Sequence, residues 1–276
     1  MPYISVGKEN SGSIDLYYED HGSGTPVVLI HGYPLSGRAW EKQLPVLMED
    51  GRRVITYDRR GFGNSSQPTG GYDYDTFAAD LNALMEALDL RDAVLVGHSM
   101  GTGEVTRYIS KFGSARVAKG VLISPIPPFL LQADDNPEGV PGSAFDGFMQ
   151  SARADSAAWM KSFLDLFFNI DKTRGTLVSD QYYQACFNIA AAASPIATVG
   201  CIPTWETDFR GDLPKLDVPM LCVQGDADRV LPYPKTGKRL PGMIKNLQLD
   251  VIEDGPHAIC WTHADQVNSA LLKFLS

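Results

Sequence analysis

The sequence lacks a long apolar segment. No run approaches the ~18 continuous apolar residues that a transmembrane helix needs. The most apolar stretch, residues 189–202, is interrupted by Ser194, Pro195 and Gly200. The N-terminal residues Met1-Pro2-Tyr3-Ile4-Ser5-Val6 pair no basic start with an apolar run, so we expect no secretory signal. The sequence therefore predicts a cytoplasmic protein without a membrane partner.

Cysteine is also scarce. The four cysteines form no CxxC pair, and no nearby histidine suggests a zinc site. They are Cys186, Cys201, Cys222 and Cys260. We expect reduced thiols, with neither a disulfide nor a bound metal.

Basic residues are outnumbered by acidic ones. The chain has 276 residues, with 24 Lys and Arg against 33 Asp and Glu, for a formal net charge of −9. Nucleic acids and anionic membranes attract clustered positive charge, so this balance argues against both as partners. Hydrophobic residues make up 44%, as is usual in globular proteins.

Short β-branched runs alternate with longer segments of helical periodicity. This pattern predicts an α/β fold with a mostly parallel central sheet and helices on both faces. Helices are predicted over Tyr74–Leu88 and Trp261–Leu275. The predicted strands are Ile14–Glu19, Val27–Ile30, Val54–Tyr57, Ala93–Val96, Val117–Ile123, Met220–Val223 and Gln248–Ile252.

The alternation stops between about Pro125 and Gly211. Prolines mark a loop at the start of this segment, and aromatic residues then recur at three- and four-residue spacing from Phe145 to Phe168. We interpret the segment as a helical insertion that forms a cap on the sheet edge, with most of its aromatics in the cap's own core. The predicted organisation is a core of residues 1–124 and 212–276 and a cap of residues 125–211.

The sequence Gly97-His98-Ser99-Met100-Gly101 directly follows the apolar strand and precedes a predicted helix, Thr102–Lys111. It matches G-x-S-x-G between a strand and a helix. A nucleophile on so tight a turn takes a strained backbone conformation, and a glycine two residues to either side avoids side-chain clashes. Ser99 is therefore the predicted nucleophile, and the Met100 N–H at the helix start is a predicted oxyanion donor.

A serine hydroxyl needs a base within hydrogen-bond reach and an acid that orients the base. His257 lies in a Gly-Pro loop after the last predicted strand, where open α/β sheets place their sites. Asp226 and Asp228 follow the strand Met220–Val223, and both are candidates for the acid. We favour Asp228, which is expected to end the loop before a helix, with Asp226 as a turn residue bonded to its own backbone.

Two glycine-containing loops follow other strands. In His31-Gly32-Tyr33-Pro34 the backbone N–H of Tyr33 is the predicted second oxyanion donor, Gly32 allows a close approach, and His31 is expected to brace the loop. The loop around Gly61-Phe62-Gly63 lacks the third glycine of a nucleotide-binding loop, so no cofactor is predicted.

The chain order Ser99, Asp228, His257 resembles that of the α/β-hydrolase superfamily, and the resemblance extends over residues 3–275. More narrowly, the sequence resembles the cofactor-free bacterial haloperoxidases, also called perhydrolases, with their related esterases and γ-lactamase. The segments that carry the resemblance are Ile30-His31-Gly32-Tyr33-Pro34-Leu35, Tyr57-Asp58-Arg59-Arg60-Gly61-Phe62-Gly63, Asp80-Leu81, residues 90–99, Arg116-Val117-Ala118-Lys119, residues 134–139 and Gly225-Asp226-Ala227-Asp228.

The resemblance implies catalytic Ser99, Asp228 and His257, oxyanion donors at Tyr33 and Met100, and no metal, haem or flavin. Pro34, directly after the aromatic oxyanion donor, resembles the pattern in members with marked perhydrolase activity. Met100-Gly101-Thr102 replaces the Thr-Gly-Gly that many relatives carry after the nucleophile, and it looks closer to the γ-lactamase-like branch. Relatives are often oligomers, so a homo-oligomer is compatible with the resemblance.

The expected function is acyl transfer by a serine hydrolase. We expect a carboxylesterase and perhydrolase that forms peracids from a carboxylic acid or ester with H2O2, which gives haloperoxidase activity without a cofactor. A γ-lactamase or amidase with the same triad is the alternative, and a non-catalytic small-molecule receptor is a third reading. Dehalogenase and epoxide hydrolase chemistry is disfavoured, because both use a carboxylate nucleophile where Ser99 stands. The residues expected in an apolar acyl pocket are Pro34, Trp40, Phe129, Phe145, Phe148, Trp205 and Ile259.

Overall fold

A computed structural model describes residues 2–276, and its centre is an eight-stranded sheet. The strand order is β1-β2-β4-β3-β5-β6-β7-β8. The first two strands run antiparallel to their neighbours, and the other six are mutually parallel. The strands are β1 Tyr3–Glu9, β2 Gly12–Gly22, β3 Pro26–Ile30, β4 Arg53–Tyr57, β5 Ala93–His98, β6 Val117–Ile123, β7 Met220–Gly225 and β8 Leu247–Ile252. The predicted α/β class is confirmed.

Ten helices accompany the sheet within the described residues. They are α1 Leu44–Glu49, α2 Tyr74–Ala87, α3 Met100–Phe112, α4 Gly142–Ala154, α5 Ser156–Phe168, α6 Ile170–Thr173, α7 Asp180–Ala191, α8 Pro195–Gly200, α9 Ile259–Thr262 and α10 Ala264–Leu275. Short 3₁₀ turns occupy 37–40, 202–206, 213–215, 233–235 and 237–239.

Alternation along the central strands explains the layers. In β3, Val28 and Ile30 pack into the apolar cluster that contains α2 and α3. Val27 and Leu29 pack into the cluster on the opposite face, with α1 and α10. Successive side chains of a strand point to opposite faces, and both faces are covered here. The strand is therefore apolar at every position, which is why its sequence reads as a continuous run.

The segment between β6 and β7 is helical, as predicted. Helices α4 to α8 lie there, and the described residues of the segment include isolated β-bridges but no strand. A third apolar cluster joins these helices to the carboxyl edge of the sheet through Tyr33, Phe62 and Met100. The insertion thus covers the edge where β3 and β5 end. The exact cap bounds of 125 and 211 stay a prediction.

Three local predictions differ from the structure. The strand β1 was not predicted, because it is an edge strand with mixed polar and apolar residues and no apolar run. The last helix is divided at His263 into α9 and α10. Asp228 is followed by short 3₁₀ turns instead of the expected helix.

Among residues 2–276, no single helix is long and apolar enough to cross a membrane. The pair Asp180–Ala191 and Pro195–Glu206 satisfies length and composition together, but it is bent by 93°.

Candidate active site

Ser99 lies on the turn between β5 and α3, in a strained conformation. Its φ is 54° and its ψ is −121°, a region that costs a non-glycine residue about 1–3 kcal/mol. A Cβ on Gly101 would overlap the carbonyl oxygen of Ile30, and one on Gly97 would overlap the carbonyl of Gly101. The two glycines therefore allow the chain to pass close to itself and hold the strained turn in place.

Two loops at the same sheet edge bring Asp228 and His257 together. The Nδ1 atom of His257 lies 2.7 Å from Oδ2 of Asp228, and both side chains are fully buried. The other oxygen, Oδ1, accepts hydrogen bonds from the N–H groups of Val230 (2.9 Å) and Leu231 (2.8 Å). The aspartate is thus fixed at both oxygens, and it faces one ring nitrogen of the histidine.

Asp226 does not reach His257. Its Oδ1 accepts a hydrogen bond of 2.8 Å from the N–H of Asp254, in the loop that carries the histidine. The expectation that Asp226 bonds its own backbone is therefore wrong, because the partner lies on the neighbouring loop. Of the two candidate acids, the structure brings only Asp228 to the imidazole.

The backbone of His257 is tied to the residue before Ser99. Nε2 of His98 lies 3.0 Å from the His257 carbonyl oxygen, and the Ser124 hydroxyl donates to the same oxygen over 3.4 Å. Within residues 2–276, Nε2 of His257 is buried and has no hydrogen-bond partner. A hydrogen bond from Ser99 to this nitrogen is not made. Such bonds are often long in ligand-free sites and tighten when substrate binds.

His98 is neutral and has a defined tautomer. Burial lowers its pKa to about 3. Because a carbonyl can only accept, Nε2 of His98 carries the hydrogen that it donates to His257, and Nδ1 does not. His98 therefore holds the loop that carries His257.

The two predicted oxyanion donors are backbone groups near Ser99. Among the described residues, the N–H groups of Tyr33 and Met100 have no intramolecular hydrogen-bond partner. A Cβ on Gly32 would lie only 2.8 Å from Cβ of Ser99, so the loop before Tyr33 passes directly over the turn. Met100 is the first residue of α3, where free N–H groups and the helix dipole favour an anion.

Several buried hydrogen bonds fix the Tyr33 loop. The Tyr33 hydroxyl donates to the Thr198 carbonyl (3.1 Å) and accepts from Nε1 of Trp159 (2.9 Å), so it joins the loop to the cap. Nε2 of His31 accepts from the N–H of Arg59 over 2.9 Å. Burial lowers the pKa of His31 well below its usual value, so this ring is neutral and acts as a brace.

Beneath the loop lies a buried ion pair. The Arg59 guanidinium contacts Glu104 of α3 at 2.8 Å and also donates to the His31 carbonyl at 3.0 Å. The hydroxyl of Tyr57 donates to the same glutamate. Breaking such a pair by removing one partner is costly, because it leaves a buried charge alone. The Tyr33 loop and the helix that starts at Met100 are therefore joined by one network.

Ser99 opens into an apolar cavity of about 250 Å³ under the cap. Four aromatic side chains of the cap, Phe145, Phe148, Trp159 and Trp205, form much of its wall. Leu166 and Ser162 of α5, both exposed, and Arg229 stand at its rim. The complete lining is Tyr33, Ser99, Ile126, Leu130, Val140, Phe145, Phe148, Trp159, Ser162, Phe163, Leu166, Trp205, Arg229, Val230, Leu231 and Pro232.

Four of the seven expected pocket residues lie elsewhere. Trp40 and Ile259 belong to the apolar cluster on the sheet face covered by α1 and α10. The ring of Phe129 is covered by the Arg210 guanidinium, 4.7 Å from its centroid. Pro34 is buried beside Tyr33 and does not line the cavity. Trp159 and Phe163, which do line it, were interpreted from sequence as cap core.

Metal-binding groups do not converge in this structure. Across residues 2–276, no group of three or more His, Cys, Asp or Glu side chains is arranged to hold an ion. The four cysteines are buried and free, and burial raises the pKa of Cys186 to about 12. At the other glycine-rich loop, a Cβ on Gly61 would overlap Ala197 of the cap, so this loop is packed against protein.

Comparisons with known proteins give a consistent assignment. Residues 25–264 match the family model described as alpha/beta hydrolase fold. A Synechocystis sp. protein that carries a provisional name of non-heme chloroperoxidase is 61% identical over 275 residues, which is 100% of both chains. The bifunctional esterase/perhydrolase DCH of Acinetobacter calcoaceticus is 33% identical and covers 100% of this chain and 99% of its own.

A solved structure agrees with the sequence relatives. The crystal structure of bromoperoxidase from Bacillus anthracis superposes with a TM-score of 0.95 at 46% identity, over 99% of each chain. The chain therefore belongs to the α/β-hydrolase family and, within it, to the group of non-heme haloperoxidases and related esterases.

Proposed function

We propose that the protein is a serine hydrolase that transfers acyl groups, with Ser99 as nucleophile, His257 as base and Asp228 as the acid that orients it. The observation that carries the proposal is the buried 2.7 Å contact between His257 and Asp228, in a loop anchored to His98 beside Ser99. The remaining ring nitrogen is unpaired and the Ser99 turn faces an apolar cavity.

Each group has a defined task in this mechanism. His257 takes the hydroxyl proton at Nε2 as Ser99 attacks the substrate carbonyl carbon. Asp228 keeps the hydrogen on Nδ1 and stabilises the imidazolium that forms. The N–H groups of Tyr33 and Met100 stabilise the oxyanion, each by roughly 3 kcal/mol. The leaving group departs with the proton from His257, and the acyl group remains on Ser99.

The acyl acceptor determines the product. Water attacks the acyl-enzyme to give a carboxylic acid, which is the esterase reaction. Hydrogen peroxide attacks in the same way to give a peracid, and its proton passes to His257 and then to Ser99. A free peracid then transfers one oxygen atom to bromide or chloride, giving hypohalite and the carboxylic acid. The esterase/perhydrolase and haloperoxidase names of the relatives support this pair of outcomes.

The cavity supports an uncharged, apolar acyl group as substrate. Its walls are aliphatic and aromatic, and its one cation, Arg229, is paired with Asp171. A charged acyl group would lose its hydration there without a compensating partner. The lactam alternative gains no support from the relatives named above.

Replacing Ser99 with Ala tests the proposal. We expect Ser99→Ala to lower kcat for p-nitrophenyl acetate by at least ~10³-fold. The same variant should lose bromination activity with acetate, peroxide and bromide to the same extent. The Ser151→Ala variant is the control, because Ser151 lies on an exposed part of α4 and bonds only within that helix. Bromination that survives in Ser99→Ala would contradict the shared acyl-enzyme.

A further inference from the structure

The junction between α5 and α6 in the cap contacts both loops that carry the proposed acid and base. We infer that the segment Phe167–Asp171 positions the His257–Asp228 pair, and that Asn169 is its principal positioning residue. The inference rests on the proposed serine hydrolase function, and it assigns to the cap a role beyond covering the cavity.

Three contacts from this segment reach the core, and each falls on a neighbour of the proposed pair. The side-chain N–H of Asn169 donates to the carbonyl of Ala227, one residue before Asp228, over 2.9 Å. Asp171 pairs with Arg229, one residue after Asp228, at 2.6 and 3.2 Å. The carbonyl of Phe167 accepts from the N–H of Ala258, one residue after His257, over 3.0 Å.

The phenyl ring of Phe167 adds a contact with the base itself. It meets the His257 ring edge to face, with centroids 5.0 Å apart, and the His98 ring at 5.7 Å. The imidazole is therefore held by Asp228 at Nδ1 and by this phenyl ring on one side. Neither contact occupies Nε2, which stays available to Ser99.

The backbone at Asn169 fits this residue type. It ends α5 in the left-handed conformation, with φ of 49° and ψ of 53°, which asparagine tolerates better than most residues. The residue is only 2% exposed, and Oδ1 is buried without a hydrogen-bond partner. Glycine would satisfy the backbone and avoid the cost of that unpaired oxygen. The presence of the Asn169 side chain is therefore explained by its amide N–H, which donates to the Ala227 carbonyl.

Ala227 transmits this restraint to the base loop. Its carbonyl accepts from Asn169, while its N–H donates to the carbonyl of Gly255 over 3.1 Å, two residues before His257. Gly225 and Gly255 approach so closely that a Cβ on either would overlap the other's backbone. The backbone of this one residue thus joins the cap, the acid loop and the base loop.

This arrangement predicts a loss of rate without a loss of binding. A displacement of about 1 Å in a reacting group can cost ~10²-fold in rate. Asn169 does not itself line the cavity, and it makes no hydrogen bond to Trp159 or Phe163, the two α5 aromatics of the wall. Removal of the Asn169 amide should therefore lower kcat and leave KM nearly unchanged.

The test compares Asn169→Gly with Thr173→Val. The glycine keeps the left-handed backbone and removes the donor. The Thr173 hydroxyl makes buried hydrogen bonds to Phe168 and Asn169 carbonyls within the junction, but it reaches neither triad loop. Asn169→Asp is a second variant, which keeps the shape and loses the amide donor. Melting temperature, kcat and KM for p-nitrophenyl acetate, and the rate of Ser99 labelling by a fluorophosphonate are measured for each.

We expect both Asn169 variants to lose at least about tenfold in kcat and in labelling rate, with KM within about twofold of the wild type. Thr173→Val should keep kcat within about twofold of the wild type, even if its melting temperature falls as far as that of the Asn169 variants. Wild-type kinetics in both folded Asn169 variants, or losses that merely follow melting temperature across all three, would overturn the positioning role alone. A wild-type protein that is not labelled at Ser99 would overturn the proposed function as well.

Discussion

Replacing Asp228 with Asn gives the sharpest test of the proposed acid, because the surrounding hydrogen bonds decide how the new amide must lie. The aspartate Oδ1 accepts two backbone N–H groups, from Val230 and Leu231, so an oxygen has to remain at that position. The amide NH₂ is then directed at Nδ1 of His257, where Oδ2 stands now. Two donors cannot face each other, so Nδ1 must lose its hydrogen and become the acceptor.

The altered tautomer would leave the proposed base unable to accept the Ser99 proton. With Nδ1 unprotonated, the hydrogen of the neutral ring sits on Nε2, which cannot take the Ser99 proton. We expect kcat for p-nitrophenyl acetate to fall by about 10⁴-fold, equivalent to about 5.4 kcal/mol of transition-state stabilisation. KM should change little, because Asp228 does not line the cavity.

Asp226→Asn is the matched control. Its Oδ1 can still accept from the Asp254 N–H, so we expect kcat within about threefold of the wild type. Steady-state kinetics at neutral pH, with melting temperature as a check on folding, distinguish the two variants. A folded Asp228→Asn enzyme that keeps a tenth of wild-type kcat would refute the assignment of the acid, and an equal loss in Asp226→Asn would refute the choice between the two.

Two further predictions concern stability. In a urea titration, Gly101→Ala should lower the free energy of unfolding by about 2 kcal/mol or more, because its Cβ would overlap the Ile30 carbonyl. The control Gly147→Ala, on α4 where no atom lies near the added Cβ, should raise that free energy by about 0.5–1 kcal/mol. A Gly101→Ala variant as stable as the wild type would contradict the account of the turn. His98 is neutral when folded, with a pKa of about 3, but takes up a proton near its usual pKa of 6.5 when unfolded, so its contribution to stability is complete above pH 6.5 and is lost as pH falls towards 3. The melting temperature of His98→Gln, which keeps a donor for the His257 carbonyl, should therefore fall less between pH 7 and 5 than that of the wild type, and equal slopes would argue against a neutral buried ring.

Much of the scaffold could be predicted because it rests on local patterns. The strand Val117–Ile123 was predicted with its observed bounds, and the helix from Tyr74 differs by one residue at its end. Buried parallel strands must be apolar at every position, so they stand out in a sequence. Strand β1 does not, because an edge strand exposed along much of its length carries mixed residues.

The cavity could not be predicted in the same way. Periodicity shows that a residue is buried but not which surface it meets. Trp40 and Ile259 lie near predicted loops, yet they pack on the sheet face covered by α1 and α10 and do not line the cavity. Trp159 and Phe163 have the spacing of core residues, and only the fold of the cap places them against a void. The choice between Asp226 and Asp228 likewise depended on the course of two separate loops.

The order of the site along the chain has a consequence during synthesis. The strand before Ser99 is synthesised well before the loop that carries His257, which follows Ser99 by 158 residues. On a growing polypeptide, the hydroxyl at position 99 would therefore lack its proposed proton acceptor until residue 257 had also left the ribosome. Under the proposed mechanism, chains that stop before residue 257 would be inert toward esters however well their first strands had folded.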